Sequence, residues 1–191
     1  MHTILKRTVN ELIIKNSKFI SIIQQMNDNS NIDQILADIK KEYPKATHYT
    51  YAYITENKKK ASDDGEPGGT AGMPILNVLE KEGMINVVAV VVRYFGGVKL
   101  GAGGLVRAYS KSVKRALDNA HKIELVKGIE IELNFSYEEQ KNIDYLLKKY
   151  DIINKSFLEN VSYTILIPES DLDFIKNIEY RIIRKILITK K

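Results

Sequence analysis

The chain of 191 residues has no cysteine and no tryptophan, and only 3 histidines and 4 prolines. The missing cysteine rules out a disulfide framework, a thiol nucleophile and zinc sites of the cysteine type. His2, His48 and His121 are far apart in sequence and show no metal-ligand spacing, so neither a metal nor a cofactor is expected. No apolar run approaches the ~18 residues needed to span a bilayer. The opening MHTILKRTVNELIIKN lacks an apolar stretch of signal-peptide length. A cytoplasmic protein without membrane contact is expected. No serine or threonine lies in a recognisable elbow motif, and spacing marks no acid–base pair, so no catalytic residue is assigned. There is no internal repeat and no low-complexity tract.

With 44% hydrophobic and 28% charged residues, the chain can bury a core and stay folded. The net charge of +5 is unevenly spread. Residues 1–125 hold 18 Lys+Arg against 13 Asp+Glu, whereas residues 126–191 hold 11 of each. From Arg93 to Lys122 there are seven basic residues (Arg93, Lys99, Arg107, Lys111, Lys114, Arg115 and Lys122) against Asp118 alone. A field of one sign attracts polyanions. The plainer reading is a solvated helix face.

Glycine is concentrated too. Ten of the 11 glycines fall between Gly65 and Gly104. One cluster reads SDDGEPGGTAGMP (Ser62 to Pro74). The other begins RYFGGVKLGAGG at Arg93, and the apolar run MINVVAVVV lies between them. Such clusters mark places where the backbone turns sharply or closely meets something else.

Periodicity predicts two strands, Val9–Asn16 and Lys18–Met26, then a helix from a Ser30 or Asn31 cap to Glu42, stopped by Pro44. A strand over Thr47–Thr55 and a mobile charged loop over Glu56–Ser62 are expected next. Thr70 is expected to cap a short helix to Glu82. Asn86–Arg93 reads as a strand covered on both faces. Leu105–Ala120 reads as an amphipathic helix with Leu105, Tyr109, Val113, Ala116 and Ala120 inward and Arg107, Lys111, Lys114 and Asp118 on another face. Beyond Lys122 the pattern becomes a strand (Val126–Phe135), a helix (Tyr137–Tyr150, with Ile143, Leu146 and Leu147 inward), a hairpin, a second helix (Ser170–Ile178) and a last strand (Ile182–Thr189). That β-α-β-β-α-β order is the split βαβ arrangement of ferredoxin-like domains. The fold class expected is α+β in two domains, residues 1–124 and 125–191.

The second glycine cluster follows a strand and opens a helix. Backbone N–H groups and the helix dipole favour an anion at such a place. Arg93, Gly96, Gly97, Lys99, Gly101, Gly103, Gly104, Arg107, Lys111 and Lys114 are the candidate phosphate or nucleic-acid contacts. Neither a Walker loop nor a dinucleotide fingerprint is present, and two tight turns packing the helix on its strand would give the same glycines. In the first cluster, Asp63, Asp64 and Glu66 admit three readings: a hard-cation site, a solvated acidic turn, or a structural brace to Arg93 or Arg107. The brace is favoured. Tyr49, Tyr51 and Tyr53 share one face of their strand. They form either a base-stacking stripe or a face covered by helices.

SDDGEPGGTAGMP followed by VVAVVVRYFGGVKLGAGGLVRAYSKSV resembles the signature of the bacterial YigZ family, relatives of the eukaryotic IMPACT proteins. KNSKFIS (Lys15–Ser21) and ATHYTYAY are similar as well. The resemblance implies an N-terminal α/β domain like the fourth domain of elongation factor G and a C-terminal ferredoxin-like domain like its fifth. It implies nucleic-acid binding or action around translation, with RNA, the ribosome or a translation-related protein as partner. Family members often carry a basic residue where this chain has Met73. The function expected is a non-enzymatic binding protein. An enzyme acting on a phosphorylated small molecule and an adaptor that docks a translation regulator are the alternatives.

Overall fold

The structure, a computed structural model, describes residues 1–190. Its contacts divide the chain into two compact units, Met1–Ile123 and Glu124–Lys191. The fold is mixed α/β with two sheets.

The first unit contains, in order, β1 (His2–Ile4), β2 (Thr8–Ile14), β3 (Ser17–Gln25), α1 (Ile32–Glu42), β4 (His48–Ile54), β5 (Lys59–Ser62), α2 (Gly72–Lys81), β6 (Val87–Tyr94) and α3 (Ala102–Asp118). Five strands form one antiparallel sheet in the order β2-β3-β6-β4-β5. β6 is central, and Val87 to Val92 are all buried. Antiparallel sheets often leave one face wet. Here helices cover both. Val88, Val90 and Val92 pack in the α1 layer, while Val87, Ala89 and Val91 face α2 and α3.

Asn31 caps α1, its side-chain oxygen accepting from the backbone N–H groups of Asp33 and Gln34. The segment expected as a mobile loop instead supplies β5, because Lys59–Ser62 pair with Tyr51–Ile54. Tyr49, Tyr51 and Tyr53 belong to the α1 core layer, and the Tyr49 hydroxyl donates to the Tyr43 carbonyl at 2.6 Å. Of the two readings of that stripe, the covered face is the one found.

The second unit holds β7 (Lys122–Phe135, beginning at the boundary), α4 (Gln140–Leu146), a 3-10 turn (Leu147–Lys149), β8 (Asp151–Phe157), β9 (Val161–Pro168), a 3-10 helix (Glu169–Ile175) and β10 (Glu179–Thr189). Its antiparallel strands run β10-β7-β9-β8. Ile129, Ile131 and Leu133 of β7 alternate with glutamates, so one sheet face is apolar. Ile143 and Leu147 pack on that face, while Leu146, expected inward, is exposed. The second helix is of 3-10 type rather than α, over Glu169–Ile175.

Candidate functional site

Both glycine clusters lie in the first unit, on the side of the sheet that carries α2 and α3. The first loop spends its three carboxylates on three different partners. Asp63 accepts hydrogen bonds from the backbone N–H groups of Gly69, Ala71 and Gly72 at 2.7, 3.0 and 2.7 Å. It therefore caps α2 from outside the helix. Thr70, the expected cap, instead donates its hydroxyl to the Pro67 carbonyl. Burial works against the Asp63 charge, but the three N–H donors outweigh it and hold the carboxyl below its usual range. Asp64 accepts from the Tyr49 backbone N–H at 2.6 Å, and its carbonyl lies 2.8 Å from His48 Nδ1.

Glu66 points inward. Its Oε1 accepts from Arg93 Nη1 at 2.5 Å and from the Tyr109 hydroxyl at 2.6 Å. All three residues are buried. Desolvation first, then the Glu66 carboxylate, pushes the Tyr109 phenol up, so it stays a hydrogen-bond donor. The Arg93 guanidinium also lies near the rings of Phe19 and Phe95, at 5.4 and 5.6 Å. Its position in the basic run places Arg93 among the expected phosphate contacts, but the structure does not. It is 5% exposed, and Glu66 neutralises it. Its alternation with Val91 on β6 aims it into the α3 side of the sheet, which charge counting along the sequence does not register. The Asp63, Asp64 and Glu66 carboxylates do not converge. Among the described residues no group of three or more His, Asp or Glu is placed to hold a metal ion.

The second loop presses against the β2–β3 turn. The Gly96 N–H donates to Ser17 Oγ at 3.1 Å, and a Cβ at Gly96 would stand 2.0 Å from the Asn16 carbonyl carbon. Only glycine allows that approach. α3 starts after Gly101, which adopts φ 72° and provides no side-chain cap, and its first turn has no acidic residue. Gly97 and Gly101 border open space. Lys99, Gly103, Arg107 and Lys111 are exposed here. Among the described residues no ion pair involves Lys99, Arg107 or Lys111. Lys114, read with them, is paired with Glu82 at 3.2 Å and with Asp118. Gly104 is only half-exposed and lies against Leu100. The structure thus brings Lys99, the open glycines, Arg107 and Lys111 to one surface and removes Arg93 to the interior. Phe95 and Val98 of the loop are exposed, as are Met73 and Val106.

Residues 15–117, more than half the chain, match the family model described as the Impact N-terminal domain. The chain belongs to the IMPACT family. It is 36% identical over 171 residues to the IMPACT family member YvyE of Bacillus subtilis, covering 84% of this chain and 76% of that one. To the member YigZ of Escherichia coli it is 34% identical over 162 residues, with 81% and 79% covered. A solved structure titled a hypothetical protein superposes with a TM-score of 0.67 at 28% identity, covering 96% of this chain and 97% of that one. The matched segment contains both glycine loops, the buried Glu66–Arg93–Tyr109 group and nearly all of α3, so this IMPACT-family chain holds the whole candidate surface within its family domain. No helix of the described residues is long and apolar enough to cross a membrane.

Proposed function

We propose that this chain is a non-enzymatic cytoplasmic RNA-binding protein acting around translation, with the Gly96–Gly104 loop and the exposed basic face of α3 as its phosphate-contacting surface. The observation that carries the reading is the set of cations that no carboxylate of the first unit neutralises. Lys99, Arg107 and Lys111 stand exposed beside an uncapped glycine backbone, while the neighbouring Arg93 and Lys114 are internally paired. Phosphate contacts of this kind position an RNA without reading its sequence. In the second unit, the strand order β10-β7-β9-β8 and the β-α-β-β order of its first elements support the ferredoxin-like assignment.

The test is RNA affinity as a function of salt. Each neutralised phosphate adds roughly 0.7–0.9 to the slope of log affinity against log salt. Arg107→Glu combined with Lys111→Glu is expected to lower the slope by roughly 1.4–1.8 and weaken binding, with unchanged thermal stability. An affinity indifferent to salt, or no binding at low salt, overturns the reading.

A further inference from the structure

The sheet of the first unit has two edges, and they are treated differently. β5 is protected in the way natural edge strands usually are. It spans four residues, begins with Lys59 and Lys60, and is anchored by the Lys59–Glu80 pair at 2.7 Å. β2 is less protected, its one charge being the central Glu11, which Lys18 of β3 pairs. It spans seven residues, contains no proline and no lysine, and runs in register with β3 without a bulge. Among the described residues no strand pairs with its outer side. α1 covers Ile20 and Ile22 of β3 but leaves Val9 and Ile13 of β2, on the same sheet face, 44% and 62% exposed. An edge whose single charge is already paired within the sheet, and which carries an exposed apolar stripe, is a template for another strand.

The sequence of β2 says which strand fits. Laid antiparallel against itself about Glu11, it places Val9 opposite Ile13, Thr8 opposite Ile14 and Asn10 opposite Leu12. Every exposed apolar residue meets an apolar residue of the second copy, on the same face. The one like-charge contact, Glu11 against its own copy, is flanked on each side by Lys18, which pairs with Glu11 at 3.2 Å. The axis therefore carries no net charge. We propose that β2 is the contact of a symmetric homodimer in which the five-stranded sheets of two chains join edge to edge. This inference is independent of the RNA reading.

Sedimentation equilibrium of the whole chain, up to about 1 mM, tests it, since that concentration reaches even the weakest specific affinities. The wild type is expected to pass from monomer to dimer with rising concentration. Ile13→Lys, which changes both symmetric Val9–Ile13 pairs at an exposed site, is expected to weaken dimerisation at least about tenfold without changing thermal stability. Glu11→Thr removes the like-charge contact and is expected to tighten it roughly two- to fivefold. If the wild type and Glu11→Thr are both monomeric throughout, the proposal is wrong. It is equally wrong if Ile13→Lys dimerises like the wild type, which would place the contact elsewhere. β2 amides that gain exchange protection only when an unrelated extended peptide is added would overturn it in favour of a foreign strand.

Discussion

Two glycine-rich loops lead into two helices on the same side of one sheet, and the helices begin in opposite ways. The start of α2 is closed by the protein itself: the Asp63 carboxylate takes the N–H groups of Gly69, Ala71 and Gly72. The start of α3 has no side-chain cap and no acidic residue in its first turn, and exposed cations surround it. The loops also differ in sign. The carboxylates of the first are all engaged inside the unit, whereas the second keeps Lys99 and, one turn into α3, Arg107 for solvent. Similar glycine content therefore serves two ends. The first loop completes the fold, and the second is the one proposed to accept an anion from outside.

The largest break in this contrast comes from removing the residue that ties the first loop to β6 and α3. Glu66→Ala leaves the Arg93 guanidinium buried without its carboxylate, and a loss of about 3–5 kcal/mol is expected in urea unfolding. A loss under 1 kcal/mol would mean that the pair does not hold the first loop. Asp63→Ala should cost about 1–3 kcal/mol by the same measurement, because donors at the start of α2 lose their acceptor. Asp63 also gives the first loop a pH signature. Its folded carboxyl titrates below the unfolded value, so its stabilisation is complete above the unfolded value and is lost as pH falls through the folded one. Wild-type stability should drop over that acid window more steeply than that of Asp63→Asn, and parallel pH profiles would refute the capping role.

A smaller change makes the second helix resemble the first. Ala102→Glu puts a carboxylate into the first turn of α3. It is expected to raise stability by about 0.3–1 kcal/mol through the helix dipole while weakening RNA binding. Opposite signs in the two measurements are the point of the experiment, and a variant that binds RNA as well as the wild type would separate the α3 start from the binding surface. The smallest effect concerns the first loop. Met73, in the first turn of α2, is exposed. Met73→Arg should steepen the salt slope by about 0.7–0.9, one phosphate's worth, if that loop borders the RNA. An unchanged slope would confine the interface to the α3 side.

Much of this architecture is legible in the sequence because it follows from local rules. Asn31 and Pro44 mark the limits of α1, the unbroken apolar run of β6 calls for a strand covered on both faces, and the period of α3 separates Tyr109 and Val113 from Arg107 and Lys111. The rest depends on partners distant in sequence. The Asp63 cap acts across six to nine residues of loop, so the helix-start rule pointed to Thr70. Glu66 and Tyr109 are 43 positions apart, and nothing in either segment announces the hydrogen bond between them. Arg93 looks like part of a basic run until the pleat of β6 decides which way it faces. β5 was missed because lysines and a nearby asparagine read as loop, while pairing with β4 supplies the hydrogen bonds its composition does not suggest. A signal was present at Arg93, since a lone cation closing a fully apolar strand and aligned with its inward residues calls for a buried acid.

The Glu66–Arg93–Tyr109 group bears on motion. Its members come from the first glycine loop, from β6 and from the middle of α3, so none of these segments can swing away without stranding a buried polar group. Stretches this rich in glycine would ordinarily open and close on their own. Here the opening of the first loop is tied to the loss of the central strand and its helix, and the amides around Glu66 should exchange with solvent only as the whole unit unfolds. The second loop leaves the strand that this group anchors and is seated by Gly96 on the β2–β3 turn, so less ordering is left to be done on binding.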